Sequence, residues 1–207
     1  MRVGFYENQV LPRVIDVMCG NAAMADVRRP ALAGLSGRVL EVGFGSGTNL
    51  GLYPTEVTEV LAVDPAVVGR TLAEKRRRRH PEPAISYVGL DGAHIDLPDA
   101  SADNALSTWT LCTIPDVEGA LAEIRRILRP GGALHFVEHG LSDDSVVARR
   151  QYRFEPVQKR FAGGCHLTRD IPELLLTSGY RIHRLDRFQL AGPRILSAMW
   201  AGAAVPA

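Results

Sequence analysis

Residues Arg38-Val39-Leu40-Glu41-Val42 read as a buried strand, and they run without a spacer into Gly43-Phe44-Gly45-Ser46-Gly47. A strand that ends in alternating glycines leaves bare backbone at its carboxyl end, where a doubly wound α/β sheet binds its ligands. A helix is expected to follow from about Thr48. The spacing differs from a dinucleotide fingerprint, G-x-G-x-x-G, which would put glycine or alanine at Thr48; here the third glycine falls at Gly47. Glu41, just before the loop, would crowd a pyrophosphate but suits a ligand carrying an ammonium group. An amino-acid-bearing nucleoside fits both features.

The rest of the chain supports such a sheet. Apolar residues at Val10, Val14, Val17, Met18, Ala22, Ala25 and Leu32 keep a helical spacing, with Pro12 in a first turn or kink. After the loop, strands are expected at 60–63, 84–88, 102–108 and 133–137, alternating with helices over 66–80 and 116–128, a βαβ rhythm. Asp116 is a suitable N-cap for the second of these helices, and Arg129-Pro130-Gly131-Gly132 stops it. A charged helix is expected over 142–161, broken by Gly163-Gly164, and another over 171–178 capped by Thr168 or Asp170. Two final strands, 180–188 and 195–202, joined by a turn with Gly192-Pro193, form a hairpin at one edge.

Composition narrows the classes. With 207 residues and 46% apolar content the chain is long enough for one domain with its own core. The expected layout is an N-terminal helical segment or lid (1–36), a core (37–139), and a final part carrying further helices and the last strands (140–207). A net charge of +1 counts against a dedicated nucleic-acid binder. The average conceals a split: residues 1–120 carry 11 basic and 15 acidic side chains, a balance of −4, whereas 121–207 carry 13 and 8, a balance of +5. Cys19, Cys112 and Cys165 lack any C-x-x-C pairing, which suits a reducing, cytoplasmic compartment. The chain as given shows no signal-peptide h-region and no apolar stretch of membrane-spanning length, so no integral membrane association is expected. The Lys75-Arg76-Arg77-Arg78-Arg79 run reads as a solvated helix end complementing the helix dipole.

Two further strand ends carry acidic residues. Asp64 follows the second strand, 21 residues after Gly43, where its carboxylate can accept from both hydroxyls of a ribose. Asp91-Gly92-Ala93 follows the third, where a carboxylate and a neighbouring N–H can read the edge of an adenine.

With Val39–Gly47, Val63-Asp64-Pro65, Gly89–Ala93 with Leu97-Pro98, and Leu128–Gly132, the chain resembles the class I S-adenosylmethionine-dependent methyltransferases, in the ubiquinone-biosynthesis-like branch called methyltransferase domain type 11. The motifs span residues 38–139. The resemblance implies a Rossmann-like, mostly parallel seven-stranded sheet with an antiparallel last strand and helices on both faces. It implies S-adenosyl-L-methionine as cofactor, S-adenosyl-L-homocysteine as product, and no metal. It places Glu41, Gly43, Gly45, Gly47 and Asn49 near the methionine portion, Asp64 and Pro65 at the ribose, and Asp91, Gly92 and Ala93 at the adenine. Tyr6, on the N-terminal segment, becomes a candidate lid residue over the cofactor.

In its second half the chain resembles bacterial relatives of the methyltransferase-like thiol S-methyltransferases through Ser107–Cys112, Val137-Glu138-His139-Gly140 and Gly163–Asp170. Methyl transfer from a sulfonium needs an aligned nucleophile and exclusion of water. A thiol suits it, because its pKa near 8.5 makes thiolate accessible at neutral pH. Thr108 and Trp109 are expected to line the sulfonium, Trp109 by offering an aromatic face to a cation. His139 is the candidate base or substrate-orienting group, and His166, with Arg169 and Asp170, the candidate lid-side contact. The expected activity is methylation of a small-molecule acceptor, first a thiol, alternatively a phenol, phospholipid amine or quinone. A non-catalytic cofactor-binding protein is the alternative from another class. A monomer or homodimer is expected.

Overall fold

In the computed structural model, which describes residues 10–65 and 67–207, neighbouring residues along the central strands point into two separate cores. The strands are β1 (Gly37–Val42), β2 (Val57–Val63), β3 (Ala84–Gly89), β4 (Asn104–Thr108), β5 (Leu134–His139), β6 (Tyr180–Gln189) and β7 (Ala198–Pro206). They form one seven-stranded sheet in the order β3-β2-β1-β4-β5-β7-β6. Pairings from β3 through to β5 are parallel, and β7 runs antiparallel between β5 and β6. This is the Rossmann-like sheet with an antiparallel last strand that the motifs imply.

Successive strand residues point to opposite faces. Leu40, Leu61 and Phe136 therefore join one core, while Val39, Ala62 and Val137 join the other. The first core is closed by α4 (Val117–Ile127) and α6 (Ile171–Thr177), through Leu121, Ile124, Ile171 and Leu175. The second is closed by α2 (Ala22–Leu32) through Ala31 and Leu32, and by α3 (Val67–Arg77) through Ala73. Helices thus cover both faces, and the near-continuous burial of β1 and β2 follows from that two-sided cover. Two further helices are α1 (Leu11–Cys19), with Pro12 in its first turn, and α5 (Ser145–Phe161). Asp116 and Asp170 cap α4 and α6, accepting from Gly119 N and Glu173 N.

The largest departure from the sequence expectation lies between β1 and β2, where no helix forms after Thr48. The segment is a chain of turns closed by i to i+3 bonds, Gly47 N to Phe44 O, Leu50 N to Gly47 O and Leu52 N to Asn49 O. Gly47 at φ 68° and Gly51 at φ 81° bracket Thr48–Leu50 with left-handed backbone, which leaves no room for an α-helical turn between them. Smaller differences are boundaries: β4 begins at Asn104, α5 at Ser145, and β7 at Ala198 after a 3₁₀ turn over Arg194–Leu196. Among the described residues no helix is long and apolar enough to cross a membrane.

Candidate active site

The strand order reverses between β1 and β4, so the crevice of a doubly wound sheet opens beyond the carboxyl ends of β1 and its neighbours. The glycine loop floors it. Gly43 has φ 82°, and a Cβ there would overlap the Thr110 side chain, so the loop and the turn after β4 meet with no atom to spare. Gly45, at φ 55°, would meet only ordinary contacts at its would-be Cβ, Gly43 O at 3.8 Å and Asp64 Oδ2 at 3.9 Å, and its N–H donates to Asp64 Oδ2 at 2.8 Å. The carboxylate expected at a ribose therefore also fixes the loop, and Asp64 is only 7% exposed. Pro65 follows it on the surface.

Glu41 is fully enclosed. Its Oε1 accepts from Asn49 Nδ2 at 2.7 Å, and its Oε2 accepts from the Tyr53 hydroxyl. Burial pushes its carboxyl up to about 7, against the opposing pull of the Tyr53 and Asn49 hydrogen bonds and the Arg28 charge. Asn49 Nδ2 also reaches Thr108 Oγ1 at 3.2 Å, which ties the turns after β1 to the end of β4.

Two atoms in this neighbourhood are left over. Asn49 Oδ1 and Arg28 Nε are both buried without a hydrogen-bond partner, one an acceptor and the other a cationic donor. Arg28 is 1% exposed; it donates to Cys19 O at 2.7 Å and Thr48 O at 3.1 Å. An unmet acceptor beside a carboxylate together with an unmet guanidinium donor suits a ligand that ends in an α-amino acid, with ammonium and carboxylate on one carbon.

Sequence reasoning missed Arg28. The signal was present, since Arg28 stands three residues after Ala25 and four before Leu32, on the apolar stripe of the helix. It missed Tyr53 as well, and it missed Arg76: rather than forming only a solvated helix end, Arg76 pairs with Asp16 and donates to Ser46 O at 2.8 Å, binding α1 and α3 to the glycine loop.

At the third strand the Asp91 carboxylate turns onto its own loop, accepting from Ala93 N at 2.9 Å and facing His94 Nδ1 at 3.3 Å. The two groups expected to read a base edge thus satisfy one another. Their bond holds Asp91 below the ordinary carboxylate value. Gly92 packs with its would-be Cβ 3.1 Å from Val42 Cγ1. Tyr6 lies outside the described residues.

Beyond β4 the chain makes a strained turn. Trp109 has φ 52°, unusual for a bulky residue, and its N–H is anchored to Val137 O at 2.8 Å. Its ring faces the Arg28 guanidinium, 5.7 Å from centroid to Cζ, so the aromatic face already carries a cation from the protein. The turn is organised by Glu138, 0% exposed, which accepts from Ser107 Oγ at 2.7 Å, Thr110 N at 3.0 Å and Cys112 N at 3.3 Å. Burial raises its pKa while these bonds oppose the shift.

His139, next to Glu138, is 5% exposed, with Nδ1 3.7 Å from Cys165 Sγ and Nε2 buried and unpartnered. His166 donates its N–H to Cys112 O at 2.8 Å, and its ring faces Glu155 at 3.4 Å. Burial, with the Arg169 and Lys159 charges, lowers its pKa. Arg169 donates to Leu111 O and, at 3.0 Å, to Ile114 O. The segment after α5 is thereby packed onto the turn after β4.

This arrangement defines a class before any comparison: a doubly wound domain with a glycine loop, buried carboxylates and unmet polar atoms at the crevice beyond β1, and a buried imidazole at the end of β5. The methyltransferase domain model matches residues 40–136. A human thiol S-methyltransferase is 36% identical over 147 residues, 67% of this chain and 59% of the relative. A phosphatidylethanolamine N-methyltransferase of Cereibacter sphaeroides is 30% identical over 65% of this chain and 68% of the relative. Among solved structures, a methyltransferase of Methanosarcina mazei superposes with a TM-score of 0.64 at 21% identity, covering 82% of this chain and 92% of the other. The chain belongs to the methyltransferase domain family. It spans about three fifths of the length of the thiol S-methyltransferases it matches.

Proposed function

We propose that this chain binds S-adenosylmethionine in the crevice beyond β1 and transfers its methyl group to the sulfur of a small-molecule thiol. The observation that carries the cofactor reading is the pair of orphaned buried atoms, Asn49 Oδ1 and Arg28 Nε, which match the ammonium and carboxylate of the methionine tail. When bound, the cofactor supplies a methyl group on a positively charged sulfur. Asn49 and Glu41 hold the ammonium, and Arg28 the carboxylate. Asp64 binds the ribose while positioning Gly45 N. The turn at Gly92 and Ala93, braced by Asp91, lines the base. Thr108 and Trp109 shape the wall beside the reacting centre.

His139 accepts the acceptor's proton at Nε2, the nitrogen without a partner, while Nδ1 stays against Cys165. His166, held by Glu155, and Arg169, held by backbone carbonyls after β4, close the site on the side of the segment after α5. A thiol needs only modest help to ionise, so one buried imidazole suffices. The thiol assignment is supported by similarity to thiol S-methyltransferases at 34–36% identity.

A second reading, transfer to an amine, draws on the 30% identity to the phosphatidylethanolamine N-methyltransferase. Transfer of radiolabelled methyl to aliphatic thiols, aromatic thiols, phenols, small amines and phosphatidylethanolamine vesicles separates them. Label in the thiols is the expected result. Label in the amine or phenol with none in any thiol overturns the assignment.

A further inference from the structure

Cys112 and Cys165 lie 53 residues apart in sequence, yet their sulfurs approach to 3.8 Å and both side chains are buried. No disulfide joins them. The backbones are already held together, since His166 N donates to Cys112 O at 2.8 Å, one residue beyond Cys165. The positive-φ glycines Gly163 and Gly164 deliver Cys165 to that point. The sulfurs thus stand within about 2 Å of a disulfide bond length of about 2.05 Å.

The two thiols are not equivalent. Cys165 is 9% exposed and Cys112 2%. Cys165 alone faces an imidazole, His139 Nδ1 at 3.7 Å. The Cys112 hydrogen bond, and His139 beyond it, hold Cys165 below the ordinary thiol value, whereas the Cys165 contact and burial push Cys112 up. Ionised character and access thus fall on the same sulfur. Cys19, the remaining cysteine, is raised by burial.

We propose that Cys112 and Cys165 are an oxidative modification site, a facing dithiol that closes into a disulfide when hydrogen peroxide reaches Cys165. Cys165 passes its proton to His139, and the thiolate attacks the peroxide. The O–O bond breaks, an S–O bond forms, and hydroxide leaves as water after taking up a proton. Cys112 then attacks the Cys165 sulfenic acid; the S–S bond forms, the S–O bond breaks, and a second water departs with the Cys112 proton. In total two thiols are oxidised and one peroxide is reduced to two waters. A small-molecule thiol such as glutathione reverses the bridge by exchange. The bridge ties the turn after β4 to the segment after α5 and draws Cys165 off His139. It needs no assumption about the methyl acceptor.

The test treats the full chain with hydrogen peroxide and counts thiols under denaturing conditions, with peptide mapping before and after reduction. The free-thiol count is expected to fall from three to one, leaving Cys19, with a peptide cross-link between Cys112 and Cys165 that dithiothreitol removes. In C112S the sulfenic acid at Cys165 is expected to persist and to be trapped by dimedone, while C19S behaves as the unaltered chain. The mapping of the unaltered chain stands even if a serine variant folds poorly. Oxidation of Cys165 to sulfinic acid with Cys112 still free overturns the proposal. So does a cross-link that runs through Cys19, or three thiols that survive peroxide.

Discussion

Replacing Glu41 by glutamine separates the electrostatic cost of the crevice from its packing. In the folded chain the Glu41 carboxyl titrates at about 7, against 4.5 for an unperturbed glutamate, because burial disfavours its charged form more than Asn49 and Tyr53 favour it. Between those two values the folded state holds a proton that the unfolded chain releases, so stability falls as pH rises from 4.5 through 7 and then levels off. The difference of about 2.5 units corresponds to a cost of about 3 kcal/mol above pH 7 in the ligand-free protein. Glutamine has nearly the same shape, accepts from Asn49 Nδ2 at its oxygen, and offers its amide to the Tyr53 oxygen, so it avoids that cost while leaving the Tyr53 hydroxyl without its acceptor, a loss of about 1 kcal/mol at every pH.

Glu41→Gln is therefore expected to be about 1 kcal/mol less stable than the unaltered chain near pH 4.5 and about 2 kcal/mol more stable at pH 8, measured by urea unfolding across that range. Taking the difference between the two curves removes opposing contributions common to both, such as that of His135, whose pKa burial lowers. Binding of S-adenosylmethionine is expected to weaken at the same time, since the ammonium loses its counter-charge. A difference curve that is flat between pH 4.5 and 7.5 refutes the reasoning, as does a variant less stable than the original at pH 8.

Gly43→Ala is expected to lose about 2–4 kcal/mol in the same unfolding assay, combining left-handed strain with overlap on Thr110. Gly131→Ala carries the strain without the overlap and should lose only about 1–2 kcal/mol; equal losses would remove the Thr110 contact as a cause. Phe136→Ala, at a fully buried position on β5, should cost about 3–5 kcal/mol by thermal or urea unfolding, and a loss below 1 kcal/mol would mean the first core is not packed as described. Arg28→Met should weaken S-adenosylmethionine binding by roughly tenfold to a hundredfold in calorimetry, the worth of a charged hydrogen bond, whereas unchanged affinity would remove Arg28 from the carboxylate position.

Several elements were legible because their causes are local. The Arg38–Val42 run, the glycines behind it, the Asp116 and Asp170 caps and the stop at Pro130-Gly131 each act over a few residues, and each formed where expected. The expected helix after Thr48 failed because its fate is decided at a distance. Asn49 is pulled onto Glu41 and Thr108, 8 and 59 residues away, and the flanking glycines take left-handed angles that free the segment to turn toward them. The charge split shows the same limit. Arg126 and Arg129 of the basic half pair with Asp99 and Asp103 of the acidic half, so a division drawn along the sequence is partly closed in space.

Sequence alone determined the doubly wound sheet, the glycine loop and the strand ends that carry Glu41, Asp64 and Asp91, because backbone sterics and hydrophobic period are written within a few residues of where they act. Tertiary structure decided what those residues meet. It buried Arg28 against Trp109, set Asp64 on Gly45 and turned Asp91 onto Ala93. It also brought Cys112, His139 and Cys165 together at the ends of β4 and β5. Those meetings follow from the order in which strands pair, and strand order is a property of the whole packed sheet rather than of any one segment.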